Sequence, residues 1–305
     1  MPSQKQLPII AFAGKGGVGK TTCAAATALH SATHGCKTLV LSTDATPSLS
    51  HIFQMTPSDV PVRAADGLYF LEIGAAQARQ MWEKKFGRDV YQVFSSFVDI
   101  GYPEYVDFMA TVLPGLSEEF IVDYIRELSS VGSWDAIVWD TAPLGQTLAL
   151  LQTPALLMRH LRLAPRIYTK LKAGEGTRET ILNIIRRWEE LSAHDVSFLR
   201  TCVEFNIVAI PEALAVNQLD EILAELDKYE LRVKRLIINN VIEAPDSDFL
   251  RLKAGQQQAY LKQIHNKYGR FQLSRVPLFP HEIKGRETLL KVAGALYLTD
   301  VTATG

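Results

Sequence analysis

An apolar run, Leu7 to Ala13, passes straight into Gly14-Lys15-Gly16-Gly17-Val18-Gly19-Lys20-Thr21, and an alanine-rich stretch, Thr22 to His34, follows. Nothing else in the chain restricts the fold as much. The octet fits G-x-x-x-x-G-K-[ST], and a strand before it with a helix after it is the context this pattern needs. The glycines let successive backbone N–H groups turn inward on phosphates, and the start of the following helix adds its dipole. Lys20 then reaches the terminal phosphates, Thr21 offers its hydroxyl to magnesium, and Thr22 is expected near the α-phosphate. A chance glycine turn would satisfy the pattern but not both flanks.

Runs of strand length recur along the chain between longer segments of helical period: Leu7 to Ala13, Thr38 to Ser42, Leu68 to Ile73, Ala136 to Trp139, Asn206 to Ile210, Arg235 to Ile238 and Ser274 to Phe279. Such alternation predicts an α/β fold, a mostly parallel sheet with helices on both faces. Together with the phosphate loop it is the P-loop NTPase class. Two stretches break the rhythm, Ala75 to Val131 and Gln152 to Thr201, where apolar residues such as Ile181, Ile184, Ile185 and Trp188 recur at helical spacing. They are read as an inserted helical lobe, although long surface helices of the main domain would show the same pattern. The expected division is a nucleotide domain of residues 1–74, 132–151 and 202–305, and a helical subdomain of residues 75–131 and 152–201. Lys172 to Arg178, with two glycines, reads as a link inside the second stretch.

Composition narrows the classes further. With 32 basic and 33 acidic residues in 305, the chain lacks the footprint of a general nucleic-acid binder, and none is expected as a partner. No run approaches the roughly 20 apolar residues of a membrane span, and Leu7 to Ala13 leads into the glycine loop rather than a cleavage site. A cytoplasmic protein without an intrinsic span is expected. Cys23, Cys36 and Cys202 are widely spaced with no CxxC, which argues against a disulfide framework or a zinc clip.

Two aspartates stand where predicted parallel strands end. Strand Thr38 to Ser42 runs into Thr43-Asp44-Ala45-Thr46-Pro47-Ser48, and strand Ala136 to Trp139 runs into Asp140-Thr141-Ala142-Pro143-Leu144-Gly145-Gln146-Thr147. Open α/β sheets bind ligands at these strand ends. Phosphoryl transfer needs one acid near the magnesium shell and one beside the attacking water. Asp140 is assigned to the metal, through a bound water, and Asp44 to the attacking water. Either aspartate could instead cap the helix that follows it.

The phosphate loop, the stretch Thr43 to Phe53, the phrase Asp140 to Leu148 and the closing Val276-Pro277-Leu278-Phe279-Pro280-His281-Glu282-Ile283-Lys284-Gly285 together resemble the ArsA family. That family comprises arsenite-pump ATPases and targeting factors for tail-anchored membrane proteins. The likeness runs over about residues 7 to 298; within the helical stretches it rests on little beyond Leu113-Pro114-Gly115 and Glu118. It implies ATP and magnesium as cofactors, hydrolysis as the reaction and a homodimer as the working unit. Lys15 marks the deviant version of the loop, in which this lysine reaches the phosphates of the partner subunit and shares transition-state charge as an arginine finger does. A solvent-facing loop lysine is the plain alternative. The resemblance makes Asp44, Lys15 and Lys20 the catalytic set. It makes Glu212 a nucleotide contact near the dimer interface, Asn239 the adenine-reading residue with Asn240 as the alternative register, and Pro277 to Lys284 the loop that closes over the base. An asparagine amide can both donate to and accept from an adenine edge.

The departures from the family pattern bear on its client. The first switch usually begins Asp-Pro-Ala, whereas here it reads Asp44-Ala45-Thr46-Pro47. No cysteine lies between Cys36 and Cys202, so a three-thiolate metalloid site is not expected. No cysteine stands near Ser247 to Leu250 either, so neither is a zinc-clasped dimer. One reading is a targeting chaperone whose helical stretches form an apolar groove for a transmembrane-segment client, lined by Met81, Met109 and Met158 with Phe86, Phe94, Phe97, Phe108 and Phe120; most of these aromatics would suit an ordinary helical core equally well. The alternative is an energising subunit for a membrane pump for arsenite or another anion. A partitioning or cell-division switch is more distant, because the last helix, Glu287 to Leu298, has Lys291 as its one cation and reads as docked on the core rather than on a membrane.

Overall fold

A computed structural model describes residues 7–44, 48–95, 99–106, 116–142 and 175–297 of the chain. Eight strands form one sheet: β1 (Ile9–Gly14), β2 (Thr38–Ser42), β3 (Val62–Ala65), β4 (Leu68–Glu72), β5 (Ala136–Asp140), β6 (Val203–Ala209), β7 (Arg232–Val241) and β8 (Gln272–Pro277). Their order is β3-β4-β2-β5-β1-β6-β7-β8. Every neighbouring pair is parallel except β3 and β4. All seven runs read from the sequence fall in strands. β3 was missed because it is short, only half-buried and carries Arg63, so it lacks an apolar signature. Its hairpin signal was present in Asp66-Gly67, where Gly67 adopts φ +69°.

The helices that flank the sheet are α1 (Lys20–Thr33), α2 (Leu49–Phe53), α7 (Ala213–Lys228), α8 (Asp248–Tyr268) and α9 (Gly285–Tyr297). Phe12, Val40, Val138, Val208 and Ile237 form one buried cluster with Ala24, Ala25 and Ala28 of α1 and with Leu289, Val292 and Leu296 of α9. Alanine on α1 gives that helix a close approach to the strands. The alternate strand residues Leu39, Leu41, Ile137, Phe205, Ile207 and Leu236 are also buried and point the other way. Right-handed crossovers explain the layering: α1 leads from β1 toward β2 and α7 leads from β6 toward β7 in the opposite direction, so the two helices cover opposite faces. Fully burying one such leucine stabilises by roughly 1.5–3 kcal/mol. The parallel arrangement brings Gly14, Ser42, Glu72, Asp140, Ala209, Val241 and Pro277 to one edge.

The chain divides into two compact units, one of Met1–Gly74, Val131–Leu144 and Arg200–Gly305, the other of Ala75–Ser130 and Gly145–Leu199. Among its described residues the second unit is helical. α3 (Ala75–Trp82) runs through a π-helical turn, Glu83–Gly87, into α4 (Arg88–Ser95); residues 102–106 are also helical, and α5 (Leu116–Ser130) and α6 (Glu175–Cys202) follow. Tyr105, Val106 and Phe120 form a core onto which Met81, Tyr91, Tyr102, Tyr124 and Leu191 pack. Asp123 is fully buried and takes ion pairs from Lys85 and from Arg126, whose Nε also donates to Asp195 at 2.7 Å. The predicted link Lys172 to Arg178 is helical from Glu175 onward. Leu113 to Gly115, Phe97, Phe108, Met109 and Met158 lie outside the described residues, as do the side chains of Phe86, Phe94, Glu118, Ile181, Ile184, Ile185 and Trp188.

Candidate functional site

β1 leaves the sheet at Gly14, whose φ is +152°; a Cβ there would lie 2.4 Å from the carbonyl oxygen of Val208 on β6. Gly19 has φ +95° and sits so close under Asn239 that a Cβ would lie 2.2 Å from its Nδ2. Glycine is therefore required twice, at the strand exit and at the helix entrance. α1 starts at Lys20 with no side-chain cap and no acidic residue in its first turn, so its positive end is left for an anion. Lys15, Gly16 and Gly17 are exposed, Val18 is buried, and Thr21 and Thr22 are half-buried. Lys20 is only 5% exposed, and its Nζ donates to the Lys15 carbonyl oxygen at 3.0 Å. Burial lowers its pKa, while the charges of Asp140 and Asp44 pull it back upward. A buried ammonium held by a carbonyl can be surrendered to a phosphate.

Asp140 ends β5 fully buried. Ser42 Oγ donates to its Oδ2 at 2.9 Å, while Oδ1 has no hydrogen-bond partner. Burial pushes its pKa up to about 6, against the lowering effects of Thr21, Ser42 and Lys20. The neighbouring strand end presents Asp44, half-buried, with its backbone N–H on Ser42 Oγ at 3.3 Å. Thr43 ties the two ends together: its N–H donates to the Asp140 carbonyl at 3.1 Å, and its hydroxyl accepts from Trp139 Nε1 at 3.0 Å. Ala45 to Pro47 and Pro143 to Leu148 lie outside the described residues.

The structure thus brings Lys20, Thr21, Asp44 and Asp140 together around the loop. Asn239 joins them from β7: it is 8% exposed and its Nδ2 donates to the Val18 carbonyl at 2.9 Å. Asn240 faces away, with φ +57° and its carbonyl accepting from Gln257 Nε2 at 3.0 Å. Asparagine tolerates this left-handed backbone better than a branched residue would. Glu212 stands exposed just before α7, at the carboxyl end of β6, and its side chain does not cap the helix. Pro277 ends β8, and the segment to Lys284 connects it to α9. In that segment Phe279 and Ile283 rest on the core cluster, Leu278, Pro280, His281 and Glu282 are exposed, and Lys284 pairs with Glu282 at 2.8 Å. None of the hydrogen bonds described for Glu212 or for Pro277 to Lys284 reaches the loop.

Sequence reasoning missed Ser42 and Glu72. Ser42 carried no motif signal. Glu72 did carry one, an acid closing the otherwise apolar run Leu68 to Leu71. The donor set suits magnesium: a hydroxyl, Thr21, beside a buried carboxylate with one oxygen open. Among the described residues no three His, Cys, Asp or Glu side chains cluster. Also among the described residues, no helix is long and apolar enough to cross a membrane.

Comparison with known proteins gives a consistent picture. A family model described as anion-transporting ATPase matches residues 7–298. ATPase GET3A of Arabidopsis thaliana is 30% identical over 309 residues, covering 94% of this chain and 82% of that protein. A putative arsenical pump-driving ATPase of Chlorobaculum tepidum is 28% identical over 308 residues, covering 95% and 75%. ATPase get3 of Pyrenophora tritici-repentis is 27% identical over 317 residues, covering 96% and 92%.

Proposed function

Because the chain belongs to the anion-transporting ATPase family and is an ATPase, we propose that it hydrolyses Mg-ATP at the carboxyl edge of the sheet and couples turnover to closure of a homodimer on a membrane-linked client. Targeting of tail-anchored proteins is the reading we favour. The backbone N–H groups from Gly14 to Thr22 hold the triphosphate, and Lys20 moves from the Lys15 carbonyl to the terminal phosphates. Thr21 and, through a water, Asp140 would hold a magnesium ion, which would supply positive charge to the triphosphate. Asp44 orients the water for in-line attack. The new bond joins the water oxygen to the γ-phosphorus, and the bond from that phosphorus to the ADP oxygen breaks. The partner subunit's Lys15 shares the developing charge, which accords with the exposure of this residue. Asn239 and Pro277 to Lys284 serve the base, and Glu212 contacts the nucleotide near the dimer interface.

The observation that carries this reading is Asp140, buried beside Thr21 with one oxygen lacking a partner. Such a carboxylate is costly to bury and is best explained by a cationic ligand. A second reading, the energising subunit of an arsenical or other anion pump, is favoured by the pump-driving name of the Chlorobaculum relative. Since no cysteine lies between Cys36 and Cys202, its substrate would be handled by a membrane partner.

Light scattering on Asp44→Asn with and without Mg-ATP tests the proposal, with a solubilised hydrophobic helix added to one sample and arsenite to another. A dimer that forms with ATP and retains the helix is expected. An ATP-dependent dimer indifferent to both additions would move the assignment to the pump reading, and a mass unchanged by ATP would contradict dimer closure.

A further inference from the structure

Glu72 lies in the same unit as the phosphate loop, 8% exposed, at the end of β4. Its Oε1 accepts from the N–H groups of Leu49 and Ser50 at 2.8 and 3.2 Å, the first two residues of α2. The residue that should cap that five-residue helix, Ser48, makes no side-chain cap hydrogen bond. A carboxylate from a different strand has taken over the capping. Helices this short are not stable on their own, so the groups that hold its first turn, together with the packing of Leu49 and Ile52 in the core, fix where it sits.

The position of Glu72 is itself fixed from Ser42. The two residues are register partners, Ile73 N–H donates to the Ser42 carbonyl at 2.9 Å, and Glu72 N–H donates to the Ser58 carbonyl at 2.7 Å. Ser42 in turn supports Asp44 at the other side of the same chain segment. Ser42 at the end of β2 thus holds the Asp44 N–H, and Glu72 at the end of the adjacent β4 holds the first two N–H groups of α2. Within this pocket Glu72 Oε2 and Ser50 Oγ are both buried with no hydrogen-bond partner. Leaving buried polar atoms unpaired is unfavourable, so the two N–H bonds to Oε1 are what this structure shows holding the Glu72 carboxylate in place.

We infer that Glu72 is a positioning residue for ATP hydrolysis, anchoring α2 so that the segment bearing Asp44 presents its carboxylate to the attacking water. This rests on the role proposed above for Asp44. Glu72 touches neither nucleotide nor water. Its loss lowers kcat and leaves ATP affinity in place, because the phosphate loop is anchored elsewhere.

The test measures kcat, ATP affinity and the folded fraction for Glu72→Ala, Glu72→Asp and Glu72→Gln, and for each in the Asp44→Asn background. Small displacements of catalytic groups cost up to about 100-fold in rate, so we expect kcat of Glu72→Ala and Glu72→Asp to fall at least about ten-fold. Their ATP affinity stays within about two-fold and Glu72→Gln recovers most of the rate, since its amide oxygen accepts from the same two N–H groups. On Asp44→Asn, the same changes leave the residual rate unaltered. If Glu72→Ala does not fold, Glu72→Asp decides. Normal kcat per folded molecule in these variants, or an equal fractional loss with Asp44→Asn present, overturns the inference. If Asp44→Asn alone turns over at the wild-type rate, it is the role of Asp44 that fails.

Discussion

Asp140 and Asp123 are both fully buried aspartates, yet the chain treats them in opposite ways. Asp123, in the helical unit, is saturated: Lys85 pairs with Oδ2 and Arg126 with Oδ1. Asp140, at the sheet edge, has one hydroxyl donor, Ser42, with the lowering influence of Thr21 and the field of Lys20, but keeps Oδ1 without a hydrogen bond. Burial raises its pKa to about 6, which records how incompletely its charge is compensated. A saturated buried acid ties helices together. An unsaturated one, beside a glycine loop and an uncapped helix start, leaves an oxygen open to a ligand that brings positive charge. The difference separates a fastening from a candidate site without any appeal to ancestry.

The largest effect should come from the site. Asp44→Asn keeps shape and removes charge, and turnover should fall on the order of 100-fold or more while ATP binding persists, measured as phosphate release beside equilibrium binding. Next comes the fastening. Arg126→Ala leaves Asp123 with one cation and takes the guanidinium from Asp195, and because the Arg126 side chain is 29% exposed we expect a loss of about 2–4 kcal/mol in urea unfolding rather than the full cost of a deeply buried pair. Turnover per folded molecule should change little. If it collapses instead, the network in the helical unit is not merely structural.

Asp140 predicts a pH dependence of defined sign. Its folded pKa of about 6 lies above the ordinary 3.8, so the folded form holds its proton more tightly than the unfolded chain does. Stability from this group is complete below about pH 4 and is lost as pH rises through about 6. Nucleotide-free wild type should therefore lose roughly 2 kcal/mol relative to Asp140→Asn between pH 4 and 7, at about 1.36 kcal/mol per pKa unit. Parallel stability curves would show that the charge is compensated after all. The smallest effect is expected at Asn239→Ala, which removes the hydrogen bond to Val18; about 1 kcal/mol should be lost in thermal unfolding, with the loop loosened.

How much of this could be read from residues alone depended on whether the signal was local. The loop, the strand ends and the aspartates after them are contiguous phrases, and the sheet followed from β-branched runs between helical segments. β3 escaped because an edge strand facing water needs no apolar run. β7 extends from Arg232 to Val241, well beyond the predicted Arg235 to Ile238, because Asn239 and Asn240 at its end are polar for a reason that only the fold reveals. One of them lies against Gly19, and the other takes a left-handed backbone. Ser42 and Glu72 escaped for a different reason. Each matters through a partner 98 or about 22 residues away, and no periodicity carries that information.

Magnesium-dependent ATP turnover of Asp140→Asn, run beside Asp123→Asn under identical conditions, tests the central claim most directly. We predict that Asp140→Asn loses on the order of 100-fold in rate and needs far more magnesium for what remains, whereas Asp123→Asn loses stability but turns over within about three-fold of wild type per folded molecule. Equal losses in the two variants, or an Asp140→Asn protein with normal magnesium dependence, would contradict the assignment of the open carboxylate to the nucleotide site.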